Sequence, residues 1–155
     1  MLNVVFVCAA NICRSPVAEV LFADWLKRQS LPGEWRVSSA GIGAVVGSPA
    51  TAYAQEIVEE QGLTLSRHRG RLVEASLLDA ADVILCMTRA QQQTLQARFP
   101  ESASRIYLLS SMAGASHDIQ DPYGGPRQGY VELAKELRRL IEAGGPKIVE
   151  WASRT

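Results

Sequence analysis

Near the start of the chain, Cys8 and Arg14 are separated by five residues, in Cys8-Ala9-Ala10-Asn11-Ile12-Cys13-Arg14-Ser15-Pro16. A segment of that length can curl into a nest whose backbone N–H groups converge. Closed by the N-terminus of a following helix, such a nest binds a tetrahedral oxyanion. Arg14 adds a planar fork that grips two phosphate oxygens. A thiol at the base of a positive field is readily ionised, and a thiolate beneath a bound phosphate is a nucleophile for phosphoryl transfer. Ser15 is expected to cap the helix and to reach the sulfur with its hydroxyl. Pro16 suits the first helical position, where no N–H is needed. The spacing alone arises often by chance, and a Cys ending an apolar strand is commonly a small buried hydrophobe. The context gives it weight: an apolar run, Val4-Val5-Phe6-Val7, precedes it, and Ser-Pro follows.

A second chemical feature is Asp121-Pro122-Tyr123-Gly124-Gly125. An Asp before Pro is held in an extended or turn conformation. By itself it reads as a turn aspartate. On the same rim as a phosphate nucleophile, it becomes a candidate proton donor to a leaving alkoxide or phenoxide. The short basic run Ser66-Arg67-His68-Arg69-Gly70-Arg71 reads as a solvated loop. The glycines of Gly41-Ile42-Gly43-Ala44-Val45-Val46-Gly47 stand at the wrong interval for a dinucleotide fingerprint, so a loop lining a pocket is expected.

Hydrophobic periodicity supplies the elements that must position these groups. Strands are expected over 3–8, 35–39, 82–87 and 105–110. Helices are expected over 16–29, 50–61, 74–80, 89–98 and 127–143. The last should end or break at Gly144-Gly145-Pro146, with 147–152 adding a turn. Strand and helix alternate, which predicts an α/β fold: three layers, α/β/α, around an open four-stranded parallel sheet. Both chemical loops then lie at the carboxyl end of the sheet, with the phosphate-binding loop directly after the first strand.

The whole chain narrows the class. Its 155 residues suit a single domain spanning 1–155. Lys+Arg and Asp+Glu are both 16, a balance that argues against nucleic-acid binding. Three Cys make no disulfide framework and suit a reducing compartment. No signal-peptide pattern and no long apolar run is apparent, so a cytoplasmic protein without membrane insertion is expected.

Together these residues resemble the low-molecular-weight protein tyrosine phosphatases. The resemblance rests on Val7 to Pro16 and Asp121-Pro122-Tyr123, and extends over Trp35-Arg36-Val37, Ser39-Ala40, His68-x-x-Arg71 and Ile84-Leu85-Cys86-Met87. It implies that Cys8 attacks phosphate to form a phosphocysteine. It implies that Arg14 holds the equatorial oxygens. Asp121 would protonate the leaving group and then activate water, with no metal and no cofactor. Ala9, Ala10, Asn11, Ile12, Cys13 and Ser15 would form the phosphate loop, and Tyr123 a stacking surface for the phenol ring. Asn11 resembles the family's loop-shaping Asn, which tolerates a left-handed backbone. Ser15, Ser39 and His68 resemble its hydrogen-bonding partners, while Arg67, Arg69 and Arg71 keep the solvated reading.

Three departures bear on activity. Ala10 replaces the family's usual Gly and needs a negative φ. The loop around Ala44-Val45-Val46 is aliphatic, which resembles the bacterial branch linked to capsule and exopolysaccharide export. The implied partner there is a phosphotyrosine protein, the tyrosine-rich tail of a membrane-bound bacterial tyrosine kinase. Cys13 is kept, either as a redox partner for Cys8 or as a loop-filling thiol. Two other readings compete. An arsenate reductase on the same fold would need further thiols, and only Cys86, inside an apolar strand, follows Cys13. A non-catalytic phosphotyrosine-binding module would not need nucleophile, arginine and acid together.

Overall fold

A computed structural model describes residues 1–154. Four strands, β1 (Leu2–Cys8), β2 (Trp35–Gly41), β3 (Val83–Cys86) and β4 (Ile106–Leu108), form one sheet in the order β2-β1-β3-β4. Every pairing is parallel, with Val4 beside both Val37 and Val83. The helices are α1 (Arg14–Gln29), α2 (Ala52–Glu59), α3 (Ala75–Asp79), α4 (Arg89–Arg98), α5 (Leu109–Met112) and α6 (Arg127–Ala152), with a 3₁₀ segment at Pro100–Arg105.

The period-2 alternation of the strands divides the core into two layers. Val4, Phe6 and Cys8 of β1 pack with α1, α2, α5 and α6. Val5 and Val7 face the other way, onto Leu78 of α3 and Leu95 of α4. The three-layer expectation therefore holds. From β1 the chain winds outward to β2, and from β3 outward to β4 in the opposite direction. The crevice beyond the carboxyl ends of β1 and β3 is thus the switch point where open α/β sheets bind ligands. Among the described residues no helix is long and apolar enough to cross a membrane.

Three expectations need correction. First, α1 starts at Arg14, two residues before the expected start at residue 16. Cys13 is its N-cap and makes no side-chain cap bond, so Ser15 is not the cap. Pro16 falls on the third helical residue, still within the first turn where N–H groups lack helical partners. Second, the expected strand over 105–110 closes at Leu108, and Leu109–Met112 turns into helix. Third, α6 does not end at Gly144-Gly145-Pro146 but runs through to Ala152. The glycines there serve packing. A Cβ on Gly145 would sit 2.5 Å from the Trp25 ring, and one on Gly144 would sit 2.9 Å from Met112. Helix α6 thus sets its backbone against the Trp25 ring of α1 and against Met112 of α5, and the buried Ile148 and Ala152 beyond Pro146 hold the last turns against the core.

Candidate active site

The segment from Cys8 to Cys13 wraps into a cradle because its carbonyls are tied outward. Cys8 O accepts from Ile42 N (3.0 Å), Ala9 O from Gly43 N (2.9 Å) and Ala10 O from Val45 N (3.2 Å). Asn11 O accepts from His68 Nε2 (2.7 Å), which fixes the proton on that ring nitrogen, and Ile12 O from Thr51 N (2.9 Å). With these consecutive carbonyls engaged on the outside, the intervening N–H groups are left for the interior, as in an anion-binding nest. The N-terminus of α1 closes the cradle with no acidic residue in its first turn. Gly41 makes the close approach possible, since a Cβ there would lie 2.6 Å from Ala9 O.

Asn11 holds the bend. Its φ of 60° is left-handed and its side chain is fully buried. Asn11 Nδ2 donates to Ser15 Oγ (2.9 Å) and Ser39 Oγ (3.0 Å), and Asn11 Oδ1 accepts from Arg71 N (3.0 Å). Three bonds from three parts of the chain offset the cost of that backbone conformation, of order 1–3 kcal/mol. Ala10 is not among the positive-φ residues, so alanine fits where the family usually has glycine.

The same network reaches the sulfur. Ser15 Oγ accepts from Asn11, which frees its hydrogen for Cys8 Sγ at 2.9 Å. Asn11 N also donates to Cys8 Sγ (3.3 Å). On the other branch Ser39 stands beside the carboxyl of Glu19. Burial pushes the Glu19 carboxyl up, opposed by Ser39, His68 and Arg71.

Arg14 is 5% exposed and reaches across to the late loop. Its Nη1 donates to Ile119 O (2.9 Å), and its Nη2 lies 3.6 Å from Asp121 Oδ2. Asp121 is half-exposed, and its Oδ1 accepts from Tyr123 N (3.1 Å). The bond to Tyr123 N and the approach to Arg14 thus use different oxygens of one carboxylate. Cys8, Ala10, Ile12, Cys13, Arg14, Val45, Asp121 and Tyr123 line a single cavity of about 180 Å³. Tyr123 is 64% exposed at its mouth. Cys13 is a free thiol, 3.6 Å from both Thr51 Oγ1 and Tyr130 Oη. Burial pushes the Cys13 thiol up, and desolvation raises Tyr130 to about 12.

The geometry brings the expected site residues together and adds others. Arg71 is not merely solvated: besides its N–H to Asn11, its Nε donates to Ser39 O (3.1 Å). Glu19, Thr51, Tyr130 and the Ile119 carbonyl also belong to the surroundings. No linear motif marks them, because each acts through a backbone group or a neighbour brought close by folding.

Residues 3–149 match the family described as low molecular weight phosphotyrosine protein phosphatase. The chain belongs to this family. It is 39% identical over 146 residues to the probable low molecular weight protein-tyrosine-phosphatase EpsP of Ralstonia nicotianae, covering 94% of this chain and 95% of that protein. It is 35% identical over 147 residues to a protein-arginine-phosphatase of Geobacillus stearothermophilus, covering 94% and 95%. The tyrosine phosphatase Wzb of Escherichia coli K30, solved with sulphate, superposes with a TM-score of 0.85 at 26% identity, covering 96% of this chain and 99% of that one.

Proposed function

We propose that this phosphatase hydrolyses phosphotyrosine in proteins through a phosphocysteine, with Cys8 as nucleophile, Arg14 as phosphate clamp and Asp121 as acid and base. The observation that carries this reading is the outward tethering of successive loop carbonyls around Cys8, with Arg14 and Asp121 converging on the same cavity. The phosphate dianion takes the inward amides and the Arg14 fork. Cys8 Sγ attacks phosphorus as the P–O bond to the phenol breaks, and protonated Asp121 gives its proton to the departing oxygen. Water then attacks the thiophosphate and yields its proton to the Asp121 carboxylate. Inorganic phosphate leaves, and Cys8 is restored as thiolate, held by Ser15 and the Asn11 amide.

Ile12, Val45 and Tyr123 supply an apolar wall for a phenol ring. A phosphoarginine guanidinium would set its N–H donors against that apolar wall, with Asp121 the one carboxylate of the cavity lining to take them, which disfavours it. We further propose a membrane-bound bacterial tyrosine kinase of polysaccharide export as the partner, supported by the likeness to EpsP and Wzb and by the aliphatic rim.

The deciding experiment compares phosphate release from a phosphotyrosine peptide and a phosphoarginine peptide with arsenate-dependent thiol oxidation. Phosphotyrosine turnover is expected to dominate and to vanish in Cys8→Ser and Arg14→Ala. Faster phosphoarginine turnover would overturn the substrate. Arsenate turnover, or phosphotyrosine binding without hydrolysis, would overturn the reaction. Trapping phosphotyrosine proteins of the native host on Cys8→Ser tests the partner.

A further inference from the structure

The segment carrying Asp121 is a long connection without regular structure, yet a general acid must be held within hydrogen-bond reach of its target. Its attachments are therefore informative. Ser110 Oγ, fully buried, donates to His117 O (2.7 Å) and accepts from His117 N (3.1 Å). Ile119 N donates to Met87 O (2.9 Å) at the end of β3, and Ile119 is 1% exposed. Between these anchors, Asp118 Oδ1 accepts from the backbone N–H of Arg89 at 2.9 Å. The Arg89 guanidinium returns to the same segment, bonding Ser116 O.

Arg89 is the first residue of α4, so its N–H has no partner within the helix. The helix's own cap does not serve it. Thr88 Oγ1 accepts from Gln91 N, and Gln91 Oε1 turns back to Thr88 N. Asp118 thus supplies the missing acceptor from another part of the chain, with its charge at the positive end of the helix. Two residues separate Asp118 from Asp121. The first, Ile119, is pinned at its N–H by β3 and at its carbonyl by Arg14. Pro122 limits the backbone of Asp121 itself.

We propose that Asp118 is a positioning residue: by binding the first N–H of α4, it fixes the segment that presents Asp121 to the leaving group. The inference rests on the phosphatase reading above. Losing the bond loosens the Asp121 carboxyl, while Ile119, still held by Met87 O, keeps its carbonyl on Arg14. Its signature is a loss confined to esters whose leaving group needs a proton.

The test uses phenyl phosphate, a poor leaving group, and 2,4-dinitrophenyl phosphate, an activated one. Asp118→Ala should slow phenyl phosphate about tenfold, within the range for a misplaced catalytic group. It should change the dinitrophenyl ester by less than about twofold, since that leaving group does not depend on the acid. Asp118→Asn keeps an acceptor oxygen and should restore phenyl phosphate turnover. The donor can be removed independently. Arg89→Pro deletes the N–H at a helical position that accepts proline, after a Thr88 whose extended backbone already suits it. Arg89→Ala, which deletes only the guanidinium, is its control. Arg89→Pro should reproduce Asp118→Ala beyond the effect of Arg89→Ala, and the two combined should be no worse than either. If Asp118→Ala fails to fold, the Arg89 pair decides alone. Equal losses on both esters, unchanged turnover of both, or losses that multiply in the double variant would overturn the assignment. Wild-type inactivity on both esters would instead remove the phosphatase reading itself.

Discussion

At the scale of single residues, the site divides into groups that could be read in the chain and groups that could not. Asp121 carries two duties on two oxygens, one bonding Tyr123 N and the other facing Arg14. Asp121→Asn keeps the turn but has no proton to give. It is expected to slow phosphotyrosine peptide by about 10²–10⁴ while sparing activated aryl phosphates, as read from a plot of rate against leaving-group acidity. A uniform loss would take the acid role away from it. Glu19 makes a prediction of opposite character. Burial holds its carboxyl above its usual range, so the folded chain binds that proton more tightly than the unfolded chain does. The stabilisation from the neutral form is present at acid pH and is lost as pH rises through the folded-state value. Glu19→Gln mimics the neutral form. Its Tm should match wild type at low pH and exceed it toward neutrality, as a pH series of thermal melts will measure. Cys8, Arg14 and Asp121 could be singled out in the chain because the chemistry expected of them lies in side-chain type and linear spacing. Arg71 and Ile119 were not, since one contributes a peptide N–H and the other a carbonyl, groups that every residue possesses.

At the scale of elements, the hydrophobic period located each strand and every helix but α5, though not always the element's end. Gly144-Gly145-Pro146 has the composition of a helix terminus, yet α6 continues, and the two glycines stand where neighbours leave no room for a side chain. Propensity alone would credit Gly145→Ala with about 1 kcal/mol of stabilisation. The Cβ at 2.5 Å from Trp25 predicts the reverse, because overpacking costs about 1–3 kcal/mol. The urea midpoint of Gly145→Ala should fall, and adding Trp25→Leu should recover part of the loss. A raised midpoint in the single variant would mean that α1 and α6 can part without cost. The expected capping role of Ser15 failed because α1 already begins at Arg14 with Cys13 at the cap position, and the Ser15 hydroxyl is committed to Asn11 and the sulfur.

At the scale of the whole molecule, the sheet order β2-β1-β3-β4 could be anticipated only as an open parallel sheet, because order is set by long-range pairing that leaves no local mark. What it creates is a cradle that an anion should stabilise together with the fold. A ligand at about a hundred times its Kd adds about 2.7 kcal/mol. For a chain of this size that raises Tm by roughly 5–10 °C. Vanadate or phosphate should produce this shift in wild type and none in Arg14→Ala, as differential scanning fluorimetry will show. The ties on Asn11 and Arg14 carry one more consequence. Asn11 waits for Arg71, 60 residues downstream, and Arg14 for Ile119, 105 residues downstream. The loop is therefore fully braced only once residues 71 and 119 are in place, and in refolding experiments the onset of hydrolysis is expected to mark the completion of the whole fold.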